Sequence, residues 1–116
     1  MPSRSTNIEV DNNTGADLVL ADQGLSHGIW TEGLFPPQLI RNGDSGKFQA
    51  ESAGFMTGDQ GYATYSSSAG KFTFNFDNPY VGSNDESAVV PNGYTASRRG
   101  GGGDNSEITW KLEKVN

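Results

Sequence analysis

The chain contains no cysteine, which excludes disulfide staples and thiolate metal sites, so its 116 residues must fold on packing alone. Histidine is nearly absent too. The single one, His27, cannot build a zinc site and is the only imidazole available to activate a hydroxyl nucleophile. No segment approaches the ~20 apolar residues of a membrane-spanning helix, and the start MPSRSTNIEVDNN holds no apolar run suited to a secretory leader. These absences lead us to expect a protein made soluble in the cytoplasm without an export signal. Positive charge is scarce: eight Lys plus Arg face fourteen Asp plus Glu, a net charge of −6. Such a surface repels a phosphate backbone and argues against nucleic acid as a partner, while neutral and zwitterionic membranes stay open to it.

What the chain has is period-two alternation. Apolar residues recur at Ile8 and Val10, Leu18 and Leu20, Phe48 and Ala50, Phe72, Phe74 and Phe76, and Ile108, Trp110 and Leu112, the mark of strands with one face on a core and one in water. No stretch shows helical spacing, and sixteen Gly and five Pro punctuate the runs. The pattern predicts an all-β protein, a single domain over residues 1–116 built as a two-sheet antiparallel β-sandwich. EVDNNTGADLVL has the form of a hairpin turning at Asn12-Asn13-Thr14-Gly15, and SSAGKFTFNF of a second turning at Ala69-Gly70. Two long connections stand apart. TEGLFPPQLIRNG sets Leu34, Phe35, Leu39 and Ile40 around Pro36-Pro37, so it should pack over one end of the sandwich and has room for a short strand. PYVGSNDESAVVPNG reads as a polar loop of functional length.

Most short motifs have a plain structural explanation. Gly43-Asp44-Ser45-Gly46 matches the tetrapeptide around a trypsin-like nucleophile, but a turn before a strand explains every residue of it. The acidic SNDES segment is a candidate Ca²⁺ loop without the EF-hand pattern, and solvated acidic turns are common. SRRGGGGDNS lacks the Lys-Ser/Thr ending of a phosphate loop, so a flexible hairpin link before EITWKLEKV is expected, with Arg98 and Arg99 free to meet an anionic head group or an acidic partner. No catalytic residue, cofactor or metal site is expected.

Phe72, Phe74, Phe76 and Trp110 fall on the inward face and should be core. Trp30, Phe35, Phe55, Met56 and Tyr80 sit in or beside loops, where two roles fit equally: exposed contacts for binding, or plugs at a sandwich end.

Four collinear stretches carry a resemblance across residues 7–115. IEVDNNTGADLVLAD with its Asn-x-Thr-Gly turn, AESAGFMTGDQG, FDNPYVGSN and the glycine-rich link followed by NSEITW are similar to stretches of the aegerolysin family. The chain most resembles the small component of bacterial binary insecticidal crystal toxins. The resemblance implies a two-sheet sandwich and a membrane-active protein rather than an enzyme. Such a protein recognises a membrane lipid, sphingolipids among the candidates, and forms pores that lyse target cells together with a larger partner. Deposition as a crystal or inclusion, action at an insect membrane and homo-oligomer formation belong to the same expectation. The lipid-binding positions of fungal members fall on Trp30 and on Phe76, Asp77, Asn78, Pro79 and Tyr80, with Asp59 near an acidic residue that tunes lipid choice. A family Cys is Asn78 here and a family Trp is Tyr80, so the fungal lipid preference does not carry over. On this basis Trp30, Phe35, Phe55, Met56, Asp59, Asp77, Asn78, Pro79, Tyr80, Arg98 and Arg99 are the expected membrane contacts, with aromatic rings at head-group level and an arginine on a phosphate. The main alternative is a sugar-binding sandwich module that uses Trp30 and Tyr80 for stacking and Asp77 and Asn78 for hydroxyls; a storage or assembly protein with free edge strands is a third.

Overall fold

The alternating segments form ten strands in the computed structural model, which describes residues 2–115. They are β1 (Ser5–Asn13), β2 (Leu18–His27), β3 (Ile29–Trp30), β4 (Leu39–Ile40), β5 (Ser45–Glu51), β6 (Asp59–Ser67), β7 (Gly70–Asn78), β8 (Asp85–Val89), β9 (Tyr94–Gly100) and β10 (Asn105–Lys114). Two five-stranded sheets result, one in the order β3-β5-β1-β10-β9 and the other β4-β2-β6-β7-β8. Their inner faces meet in one core that includes Ile8, Val10, Leu18, Phe48, Tyr65, Phe72, Phe74, Phe76, Ile108, Trp110 and Leu112. The expected sandwich is therefore the observed one. The ladders are antiparallel except between β1 and β10, which pair parallel along their whole length.

The first predicted hairpin is not one. β1 pairs with β5 and β10 in the first sheet, while β2 pairs with β4 and β6 in the second. The Asn-x-Thr-Gly segment instead carries the chain from one sheet to the other. Buried Asn12 builds this arch: its Nδ2 donates to the carbonyls of Ala16 and Ile40 at 2.8 and 3.0 Å, and its Oδ1 accepts from the Thr14 backbone N–H and hydroxyl. Apolar alternation says which side chains face inward but not which strand lies alongside. The second hairpin forms, closing at the Ser67–Gly70 pair with Ser68 and Ala69 between, one residue earlier than expected. The long first connection holds β4 and buries Pro36 and Ile40 as expected, but it runs along the flank between β5 and β2, bonded to Gln49 and Leu20, rather than over one end. The segment after Tyr80 is shorter as a loop than expected, because Asp85–Val89 forms edge strand β8 on β7. Arg98 and Arg99 likewise belong to β9, not to the link, which is confined to residues 101–104.

Pairing registers place the loops. Ser5 lies opposite both Glu51 and Asn105, and Asp59 opposite Asn78, so the β5–β6, β7–β8 and β9–β10 connections gather at one end of the sandwich beside the segment preceding β1. The Asn12 arch, the β4–β5 turn and the β6–β7 hairpin occupy the opposite end.

The β2–β6 contact admits no side chain at Gly61, where a Cβ would run into the Gly24 carbonyl oxygen and the Leu25 side chain. Gly61→Ala should force β2 off β6 and lower stability by about 1–3 kcal/mol in urea unfolding; an unchanged midpoint would show that the strand yields freely.

Candidate functional site

At the loop end the sequence leaves large apolar side chains in water. Phe55 is 90% exposed and Met56 53% in the β5–β6 loop, and Val81 is 83% exposed in the β7–β8 loop. The two loops touch through Gly58, which sits against the Asn78 carbonyl and the Pro79 backbone so closely that no side chain would fit. Thr57 pins the β5–β6 loop by donating its hydroxyl to the Gly54 carbonyl at 2.8 Å. Met56 holds a left-handed backbone, φ 57°, the one non-glycine residue to do so among those described. A bulky residue in that region is uncommon, and strain of this kind concentrates at functional loops.

Pro79 and Tyr80 separate two depressions. On one side is an open cleft of about 420 Å³, whose walls include His27, Met56, Asp59, Asp77 and Tyr80. On the other is a groove of about 410 Å³, bordered by Arg4, Asn84, Arg98, Gly102 and Asp104. Arg4 fixes this ridge from below. Its Nη2 donates to the Tyr80 carbonyl at 2.7 Å and its Nε to the Pro79 carbonyl at 3.3 Å, while the guanidinium lies 4.6 Å from the Tyr80 ring centroid. The same group stands 3.6 Å from the Asp104 carboxylate. Cation–π contact, carbonyl bonds and the ion pair together hold Tyr80 half-buried at the rim.

Several expected contact residues do other work. Trp30 is a wedge between the sheets: its ring meets Phe35, Phe48 and Phe76 edge-on at 6.0, 5.9 and 5.9 Å, and its Nε1 donates to Gln23 Oε1 at 2.7 Å. It closes the core rather than projecting from it. Phe35 packs on that wedge along the flank, half-exposed, away from the loops. Asn78 is buried, its Nδ2 donating to the carbonyls of Ser5 and Asp104 at 2.9 Å each, so it ties the loop end together and offers nothing to a membrane. Asp59 is only 1% exposed and accepts from the Thr6 hydroxyl at 2.6 Å. Burial raises its carboxyl to about 6, against the lowering effect of the Thr6 bond and with support from Asp77, Glu86 and Glu51. Asp77 is half-buried on the wall of the cleft.

The two arginines face opposite ways because neighbours on a strand alternate. Arg98 shares the inner face with Trp110 and reaches Glu86 across the edge at 3.5 Å, whereas Arg99 pairs with Thr109 on the outer face of its sheet, near Asp11. Only Arg98 borders the Tyr80 groove. Of the expected residues, Phe55, Met56, Asp77, Pro79, Tyr80 and Arg98 thus come together at the accessible loop end, while Asp59 and Asn78 lie beneath it.

The other motifs find structural uses. Ser45 donates to Asp11 at 2.7 Å at the far end of β5, whereas His27 borders the cleft at the loop end, so the two form no nucleophile–base pair. In SNDES, Glu86 turns inward to accept from the Ser106 hydroxyl and the Gly102 N–H, both at 3.1 Å. Among the described residues no three His, Cys, Asp or Glu side chains are grouped to hold a metal. Arg4 and Val81 escaped the sequence analysis: a polar lead-in to β1 gives no hint of a clamp 76 residues away from its partner, and a lone Val in a turn-rich loop carries no periodicity.

No family model matches the chain. Over 115 residues it is 31% identical to an uncharacterized protein of Dictyostelium discoideum, an alignment that takes in 97% of this chain and 10% of that protein. The chain therefore spans about a tenth of the length of this relative. Among solved structures, it superposes on that of the lipid-binding protein Nakanori with a TM-score of 0.79 at 13% identity, over 94% of this chain and 70% of that one. At such identity the likeness is one of fold: the same β-sandwich in both proteins.

The contrast between wedge and tip is measurable. Trp30→Ala should cost about 2–4 kcal/mol in chemical denaturation, since it opens a cavity among three rings. Phe55→Ala should stay within about 0.5 kcal/mol of wild type. Equal effects would mean that Phe55 is packed as firmly as Trp30.

Proposed function

We propose that this protein binds lipid membranes through the loop end of its sandwich and belongs to the aegerolysin group. The observation that carries the proposal is the convergence of Phe55, Met56 and Val81, all largely solvated, on two touching loops beside the Tyr80 ridge. Isolated exposed apolar residues need no explanation, but three on one rim, flanked by an aromatic with a polar tip and an arginine, suit insertion into the head-group boundary. Tyr80 would lie at head-group level, with Arg98 at its side to meet a phosphate. The collinear family stretches support this reading, as does the shared fold with a protein described as lipid-binding.

The finer proposal follows the family resemblance. The protein would be the membrane-recognising component of a binary insecticidal toxin, released from a soluble or crystalline store, that recruits a larger pore-forming partner. A few inserted side chains give only weak attachment, so multivalent assembly or a partner would be needed to retain it.

The test is sedimentation with vesicles of defined composition, phosphatidylcholine alone and with sphingolipids added, beside a glycan array. The wild type should sediment with at least one composition. The double variant Phe55→Ala/Val81→Ala should bind at least ~10-fold more weakly with an unchanged Tm, since about 1.5–3 kcal/mol of transfer energy is lost per large side chain. Retention on glycans with no vesicle binding would replace the membrane reading with a sugar-binding one.

A further inference from the structure

Beneath the loop end, Asp59 and Asn78 are directly paired partners on β6 and β7 with both side chains buried. Asp59 Oδ1 is occupied by Thr6, and Asn78 Nδ2 is spent on Ser5 and Asp104, yet Asp59 Oδ2 and Asn78 Oδ1 are buried without a hydrogen-bond partner among the described residues. Paired positions on one face of an antiparallel ladder hold their Cβ atoms about 4.5–5.5 Å apart, within reach of a side-chain hydrogen bond. Two neighbouring acceptors cannot satisfy each other. A proton on one of them makes it a donor and satisfies both.

We infer that Asp59 and Asn78 form a proton-operated latch, in which Asp59 Oδ2–H donates to Asn78 Oδ1 and thereby locks the loop end, and loss of that proton loosens it. The surroundings favour the neutral acid. The carboxylates of Asp77 on β7, Glu86 on β8 and Glu51 on β5 all oppose a further negative charge. The nearby cations face elsewhere, Arg4 towards Tyr80 and Asp104 and Arg98 towards Glu86, and His27 borders the cleft from β2. The upward shift of the Asp59 carboxyl to about 6 agrees with this arrangement.

The latch reaches every segment of the loop end. Asp59 directly follows the β5–β6 loop and Asn78 directly precedes the β7–β8 loop, while the Asn78 amide grips the start of β1 and the last residue of the β9–β10 link. Because the folded carboxyl titrates above its ordinary value near 3.9, its contribution to stability is fully present below about pH 4 and is lost as pH rises through about 6. A locked rim is pre-organised, so less ordering entropy opposes docking. Control of membrane binding by this route rests on the function proposed above; the latch itself does not.

Asp59→Asn is the deciding variant, since an amide can accept from Thr6 and donate to Asn78 at any pH. Between about pH 4.5 and 7 the wild-type Tm should fall relative to Asp59→Asn by roughly 4–10 °C, on the order of a 20-fold change in the folded-to-unfolded ratio. Should that variant not fold, the carboxyl-carbon NMR titration of Asp59 in the wild type must still have its midpoint well above the ordinary value. A midpoint near 3.9 with parallel Tm profiles would overturn the latch, and would mean that a buried water serves both oxygens. On phosphatidylcholine–sphingomyelin vesicles, the wild type should bind several-fold more tightly near pH 5 than near 7.5, and Asp59→Asn equally at both. Equal wild-type binding at the two values, with the titration as expected, overturns the control of docking. No binding at either, with the titration as expected, removes the membrane reading and leaves the latch standing.

Discussion

The parallel ladder between β1 and β10 is the constraint on which the arrangement of the loop end depends. Parallel partners start at the same end of a sheet, so the residues leading into β1 and those leading into β10 must meet. Arg4 and Asp104 are those residues, and both lie against the β7–β8 loop. With β10 reversed, the glycine-rich link would lie at the opposite end and the Asn78 amide would lose one of its two carbonyls. The ladder also joins the first and last strands of the chain, with every strand of the second sheet between them in sequence. Such topology folds slowly for its size.

Much of this was written in the residue pattern. Burial at every second position made β1, β2, β5, β7 and β10 legible, because water on one side and a second sheet on the other impose a period of two; β6, which buries Ala63 and Tyr65, and β9 carry too few apolar residues to show it. Neighbour relations were not legible. The Asn12 arch has the composition of a hairpin turn, and only its buried side chain, bonded to both Ala16 and Ile40, distinguishes a crossing between sheets from a return within one. β8 was hidden for another reason. Its one buried residue is an acid, Glu86, so an edge strand closed by polar bonds has the composition of a loop.

The candidate site was legible in part. Loop composition pointed to Phe55, Met56 and Tyr80, and all three reach the same end. Trp30 was ambiguous because a position beside a loop is also a position beside the core, and three rings decide the matter in favour of the core. Asn78 and Asp59 continue the inward alternation of their strands, and that parity buries them whatever their polarity. Arg98 and Arg99, expected beside a flexible link, read as equally free to meet a head group only because adjacency in sequence does not say which face each takes. Strand geometry divides them between an inner-edge ion pair with Glu86 and the opposite face of the sheet.

The outline of the molecule, 45 × 24 × 19 Å, is that of a short column with its strands along the length. A column that attaches by its loop end stands upright and covers little more than the smaller two of those dimensions. Many copies can then crowd onto a small area of bilayer, each holding the Asn12 arch and the β6–β7 hairpin tens of ångströms above the surface. On the membrane reading proposed above, it is these turns, and not the apolar tips, that such a column would present to the water side.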